Sequence, residues 1–141
     1  MTHSFDGYNH LIRLEKGERL TEAMEQFFAE SNIEGGWVNG LGAASEVTLG
    51  FYNLNSKEYK WRTFASMMEI AGIVGNIAYD QDGKLMLHLH GTFASDDYQT
   101  VGGHIKDLVA GATVELFVHR SYQPMHRQFD DETGLQLLSL N

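Results

Sequence analysis

Cysteine is absent from this 141-residue chain. Disulfides, thiolate metal ligands and a cysteine nucleophile are therefore excluded, and any transition-metal site has to be built from histidine and carboxylate. Basic residues are scarce: 10 lysines and arginines stand against 19 aspartates and glutamates, a formal net charge of −9. Such a field repels phosphate backbones, so autonomous nucleic-acid binding is disfavoured, and the acidity reads first as solubility. No run of about eighteen apolar residues occurs, which argues against a membrane-crossing helix. The opening residues MTHSFDGYNHLIRLEKGE lack the basic and apolar regions of a secretory signal. A cytoplasmic protein is the expectation. Repeats and low-complexity stretches are missing too, as are a Ser-His-Asp arrangement and a Gly-rich phosphate loop.

What is present describes an ordinary globule, 43% hydrophobic and 21% charged, of a length that suits one domain over residues 1–141. Tyr8–Leu14 alternates as a strand. From Arg19 to Ser31 the apolar residues Leu20, Ala23, Met24, Phe27 and Phe28 follow the i, i+3, i+4, i+7, i+8 spacing of an amphipathic helix that packs on a sheet. Trp37–Leu41 and Val47–Asn53 read as two strands joined by the small residues Gly42-Ala43-Ala44-Ser45, and Glu58–Thr63 as an exposed or edge strand. Met68–Tyr79 and Lys84–Phe93 surround a turn-rich Asp80-Gln81-Asp82-Gly83, the pattern of a hairpin. Ile105–Gly111 suggests a helical turn or short helix, and Thr113–Tyr122 a last long strand. The tail beyond Pro124, the sole proline, is expected to fold back as a short strand or docking segment.

Chemistry concentrates in Lys84–Phe93, KLMLHLHGTF, followed by Gly102-Gly103-His104. On a strand, His88 and His90 project from one face, side by side with Met86 and Thr92, while Leu85, Leu87 and Leu89 take the other. Neutral imidazole is a favoured ligand for zinc and other borderline divalent metals, and a third ligand, His104, would leave one coordination position for water, an anion or a substrate. The bland alternative is a half-polar strand face without a ligand. The glycines before His104 suggest close backbone approach. A turn centred on Gln81-Asp82 would place Gly75 opposite His88 and Ile73 opposite His90, with Glu69 on the same face, about 13 Å from His90. Gly72 and Gly75 would leave room above that face. His3, His10, His119 and His126 carry no spacing that links them to the trio and read as structural.

The ordered set EKGE–helix–GLGAASEVTLGFY, HLH, GGH and DDETGLQLL resembles the plants-and-prokaryotes-conserved (PPC) domain family in its free-standing prokaryotic form. The resemblance implies an α/β fold of the α+β type, with a largely antiparallel sheet flanked by one principal helix, assembled as a trimer. It implies further that His88, His90 and His104 gather around a metal, zinc foremost, near a subunit boundary. In plants the domain accompanies AT-hook segments, and no Arg-Gly-Arg-Pro hook occurs in this chain.

Three functions follow as expectations. The first is an oligomeric metal-binding domain whose open position takes a small anion. The second is a metal-dependent hydrolase in which Glu69, Asp96 or Asp97 manages protons. The third is a non-catalytic or DNA-related assembly module using the Trp37, Phe51, Trp61 and Phe64 surfaces.

Overall fold

The computed structural model describes residues 1–140. Its strands are β1 (Thr2–Phe5), β2 (Asn9–Glu15), β3 (Gly36–Asn53), β4 (Glu58–Phe64), β5 (Met68–Tyr79), β6 (Leu85–Ala94), β7 (Thr100–Arg120), β8 (His126–Asp130) and β9 (Leu135–Ser139), with one helix, α1 (Leu20–Glu30), between β2 and β3. All strand pairs are antiparallel except a single parallel bridge from β5 to β8 at Tyr79 and His126. The architecture is therefore mostly antiparallel sheet, and the helix is the minor partner.

Two long strands organise the sheet. The first half of β3 lies between β5 and β7, and its second half between β7 and β4. Strand β7 pairs with β6 at its start, with β3 along most of its length, and with β2 towards its end. Because β5 also pairs with β6, the path β3–β5–β6–β7 returns to β3, and the sheet closes on itself. Its inner face and the stripe Leu20, Ala23, Met24, Phe27 and Phe28 of α1 make the core, with Ile12, Leu14, Ile73, Ile77, Leu89, Phe93, Leu108 and Leu116.

Several expectations change in detail. Trp37–Leu41 and Val47–Asn53 belong to one strand: Gly42, at φ +139, sits beside a register shift and lets β3 bend without a turn. Ile105–Gly111 is strand rather than helix. Thr48 faces Asp107 while Leu49 faces Ile105, so Lys106 is a bulge, and the buried Ile105 and Leu108 come to stand three residues apart. That spacing imitates a helical period.

The β5–β6 hairpin forms, but one residue out of the expected register. Asp80 N donates to Lys84 O at 3.0 Å, and Gly83 adopts φ +75. The loop is therefore the three residues Gln81-Asp82-Gly83, centred on Asp82. Asn76 now faces His88, Val74 faces His90, and Gly75 faces Leu89. Even-numbered residues of β5 share the histidine face here, while Ile73 and Ile77 enter the core. A shift between Ile70 and Gly72 restores Glu69 to the histidine face, opposite Ala94 and four residues along β6 from His90.

The tail folds back as the β8–β9 hairpin. Its turn is held by Asp130, whose Oδ2 accepts from Thr133 N and Thr133 Oγ1 at 2.7 Å each, with Gly134 at φ +73. Tyr52 Oη donates to Thr133 O at 2.7 Å, and Lys57 Nζ to Asp131 O at 2.7 Å. At the other end Met125 N donates to Glu34 O, and Tyr79 N to Met125 O, both at 2.9 Å. The hairpin is thereby tied beside the histidine-bearing strands.

Candidate metal centre

Strands β6 and β7 bring the three histidines together. His90 and His104 are directly paired across the ladder, and His88 lies one side-chain position along β6 on the same face. Ring centroids are 5.2 Å apart for His88 and His90, 5.5 Å for His88 and His104, and 5.4 Å for His90 and His104. One ring nitrogen from each lies within 4.8 Å of the other two. His90 is exposed, the other two partly buried.

The backbone around them is set by close approach. An added Cβ at Gly103 would lie 2.9 Å from Gly50 O, and at Gly102 3.0 Å from Gly91 O, so β7 runs tight against both β3 and β6 where it carries His104. Gly75 plays the same part on the other side of β6, where a Cβ would come within 2.8 Å of Leu89 Cα and collide with the His88 carbonyl oxygen. Gly72 has open space above it, as anticipated, whereas Gly75 is a packing position rather than a clearing.

Electrostatics favour neutral rings. Burial first, then the neighbouring imidazoles and Arg127, push His104 down to about 4, and burial with Arg127 and His90 also lowers His88. Unprotonated imidazole is the form that ligates a metal. His104 Nδ1 is also buried with no hydrogen-bond partner. Three imidazole nitrogens within 4.8 Å of one another, with His104 carrying an unsatisfied buried atom, fit a divalent transition ion with a position to spare.

Aromatic and polar groups surround the trio. Tyr59 stacks on Trp61 at 4.5 Å between centroids, and His104 lies 5.1 Å from Tyr59 and 6.1 Å from Trp61. Beyond them Arg127, only 5% exposed, donates from Nη2 to Asn76 Oδ1 at 2.5 Å and from Nη1 to Gln136 O at 2.8 Å. These groups and the β8–β9 hairpin line a half-open cavity of about 670 Å³ that reaches His88 and His104. Trp61 is exposed, as expected of its strand, while Tyr59, Asn76 and Arg127 join the site without having been singled out by the sequence. The alternation of Tyr59 and Trp61 along β4 was a usable signal, but nothing in the spacing marked Arg127.

The other candidates sit elsewhere. Asp97 caps its own turn, accepting from Ser95 Oγ at 2.6 Å and Gln99 N at 3.0 Å. Asp96 lies in the same turn. Neither these nor Glu69 joins the histidine cluster. His119 bonds Asn9 Oδ1 at 2.8 Å, and His3 and His10 pack edge-on against Phe27 at 5.3 and 5.1 Å.

Among solved structures, the chain resembles a provisionally described DNA-binding protein from Bacteroides thetaiotaomicron at 28% identity, covering 98% of this chain and 96% of that one with a TM-score of 0.92. A protein of the same description from Ralstonia eutropha is 29% identical, with 99% and 96% covered and a TM-score of 0.91. A metal-containing protein from Archaeoglobus fulgidus is 28% identical, with 97% of each chain covered and a TM-score of 0.84. No curated protein matches. The sequence pattern of the Plants and Prokaryotes Conserved domain matches residues 1–121, which include all three histidines, and the chain belongs to that family.

Proposed function

We propose that this protein binds a small anionic ligand through a single divalent metal held by His88, His90 and His104, with zinc the favoured ion. The observation that carries the reading is the convergence of three imidazole nitrogens within 4.8 Å of one another. The metal-containing relative from Archaeoglobus fulgidus supports it. Zinc suits three neutral nitrogen donors and keeps a fourth position open, although other borderline divalent ions suit them too.

When bound, the ion would supply a Lewis-acidic position for an anionic oxygen of the ligand. The chain does the rest. Burial keeps His88 and His104 unprotonated, the β6–β7 ladder fixes the separation of the three rings, and Tyr59 and Trp61 cover one flank. Histidine donors leave the ion's charge uncompensated, and among the described residues no carboxylate joins the cluster. An anion is therefore favoured locally despite the acidic surface.

The hydrolase reading needs a group that moves protons beside the metal. Asp97 is occupied in its own turn and Glu69 stands four residues along the strand, so ligand binding is favoured over hydrolysis. DNA binding is favoured by the descriptions of two relatives and opposed by a net charge of −9. Assembly as a homotrimer follows from the family resemblance. The exposed Trp37 and Val74, which share a depression with His88 and His90, would then lie near a neighbouring subunit. A cytoplasmic location is part of the same reading; no helix among the described residues is long and apolar enough to cross a membrane.

Elemental mass spectrometry on protein purified without chelator tests the metal. About one ion per chain is expected, and loss of it in a folded His88→Ala/His104→Ala variant. No metal in the parent protein, or equal metal in the variant, overturns the reading.

A further inference from the structure

The cavity beside the histidines contains an anomaly that the metal alone does not resolve. Arg127 is 5% exposed, yet no carboxylate pairs with it among the described residues. Its two hydrogen bonds go to the neutral acceptors Asn76 Oδ1 and Gln136 O, and its Nε is buried without any partner. Gln136 Oε1 is also buried and unpartnered. A guanidinium has five N–H donors in a planar fork, and a buried cation without a counter-charge is among the costliest arrangements a fold can hold. Its cost is visible in the direction of its own pKa, which burial lowers. Asn76 Oδ1 and the Gln136 main-chain carbonyl each take one terminal nitrogen and fix the fork in the cavity wall, while both acceptors are neutral and leave the cation without a counter-charge.

The walls say what kind of anion. Neither Asp nor Glu lines the cavity, so among the described residues no carboxylate supplies the missing charge. Most of the lining is apolar or aromatic: the stacked Tyr59 and Trp61 form one wall, while Met86, Leu135 and Leu138 contribute elsewhere. A strongly hydrated inorganic ion would gain nothing from such walls. A planar or apolar organic body would bury its surface against them. The volume of about 670 Å³ lies within the range of small-molecule sites.

We infer that the chamber between the β8–β9 hairpin and the histidine face binds a small organic carboxylate, with Arg127 taking the carboxylate and the Tyr59–Trp61 pair stacking on its apolar or planar body. The inference deepens the metal reading by naming the ligand class, and it rests on that reading only for a second polar group of the ligand that would reach the ion past His88 and His104. The Arg127 end of the chamber is built without the ion.

Isothermal titration calorimetry separates the two. The probes are benzoate, butyrate, the neutral benzamide and inorganic phosphate, titrated into the parent protein, Arg127→Met, Arg127→Lys and His88→Ala/His104→Ala. Benzoate is expected to bind the parent, with affinity at least tenfold weaker in Arg127→Met and partly restored in Arg127→Lys, and benzamide is expected to bind at least tenfold more weakly than benzoate. Arg127→Met removes a buried charge for a side chain of similar length, so it is expected to stay folded with its metal content unchanged. Should it unfold, Trp61→Ala provides the second test through loss of benzoate over butyrate preference. No carboxylate binding to the parent at millimolar concentration, equal binding by Arg127→Met, or phosphate binding more tightly than benzoate overturns the inference. Arg127-dependent benzoate binding that persists in a parent protein containing no metal supports the chamber while overturning the metal reading, so the two fail separately.

Discussion

Burial holds the His104 ring neutral over most of the accessible pH range. Its ordinary value of 6.5 falls to about 4 in the folded chain, through burial first and neighbouring imidazoles second. Above pH 6.5 both folded and unfolded chains hold the ring neutral, and its contribution to stability is fully present. As pH falls from 6.5 towards 4 the unfolded chain takes up the proton first, so the metal-free protein loses stability across that window. The loss attributable to His104 is on the order of 3 kcal/mol at most, and less because the ring is not fully buried. His10 and His88 are lowered in the same direction, so they add to the slope. Urea denaturation of metal-free protein at pH 7.5 and 4.5 is expected to show the decline, and His104→Gln is expected to flatten part of it. Equal stability at both pH values would contradict this account of the rings.

Which elements were legible in the sequence follows from how regular they are. Helix α1 keeps an unbroken period from Leu20 to Phe28, and all five of its apolar stripe residues are buried. The histidine pair was legible because β6 alternates without interruption from Leu85 to Ala94. Strands β3 and β7 were harder because bulges break the alternation: Lys106 shifts the phase of β7 into a helix-like spacing, and Gly42 looks like a turn when it is a bend. The hairpin register turned on one residue, Gly83, whose positive φ makes a three-residue loop and hands the histidine face to Asn76 instead of Gly75. Arg127 was invisible because its partners Asn76 and Gln136 are set by tertiary folding, not by spacing. Two substitutions test this arrangement. Gly75→Ala forces a methyl group against the His88 carbonyl, and a loss of about 1–3 kcal/mol is expected together with weaker metal retention, since β6 must shift. Phe27→Ala, at 1% exposure under the sheet, is expected to cost about 3–5 kcal/mol while leaving metal stoichiometry intact in the folded fraction. Denaturant titrations paired with metal analysis distinguish them: equal metal retention by both at matched stability would contradict the placing of Gly75 behind the site.

The whole chain combines a net charge of −9 with a buried guanidinium close to three clustered histidines. The net charge opposes a phosphate backbone at long range, whereas the Arg127 guanidinium, paired with no carboxylate among the described residues, is a short-range positive charge beside the histidines. In a mobility-shift titration the protein alone is expected to show no duplex DNA binding near physiological salt. Retardation there, weakening steeply as salt rises, would instead support the DNA-related reading. The family's sequence pattern spans the histidines, and three relatives share the fold across nearly their whole length, so the metal question bears on the architecture as well as on this chain. Anomalous diffraction recorded on both sides of the zinc absorption edge, from crystals of protein purified without chelator, answers it most directly. The expected result is one peak per chain lying among the ring nitrogens of His88, His90 and His104 and present only above the edge. No peak among those three rings would contradict the metal centre, and a peak there that persists below the edge would contradict zinc as its occupant.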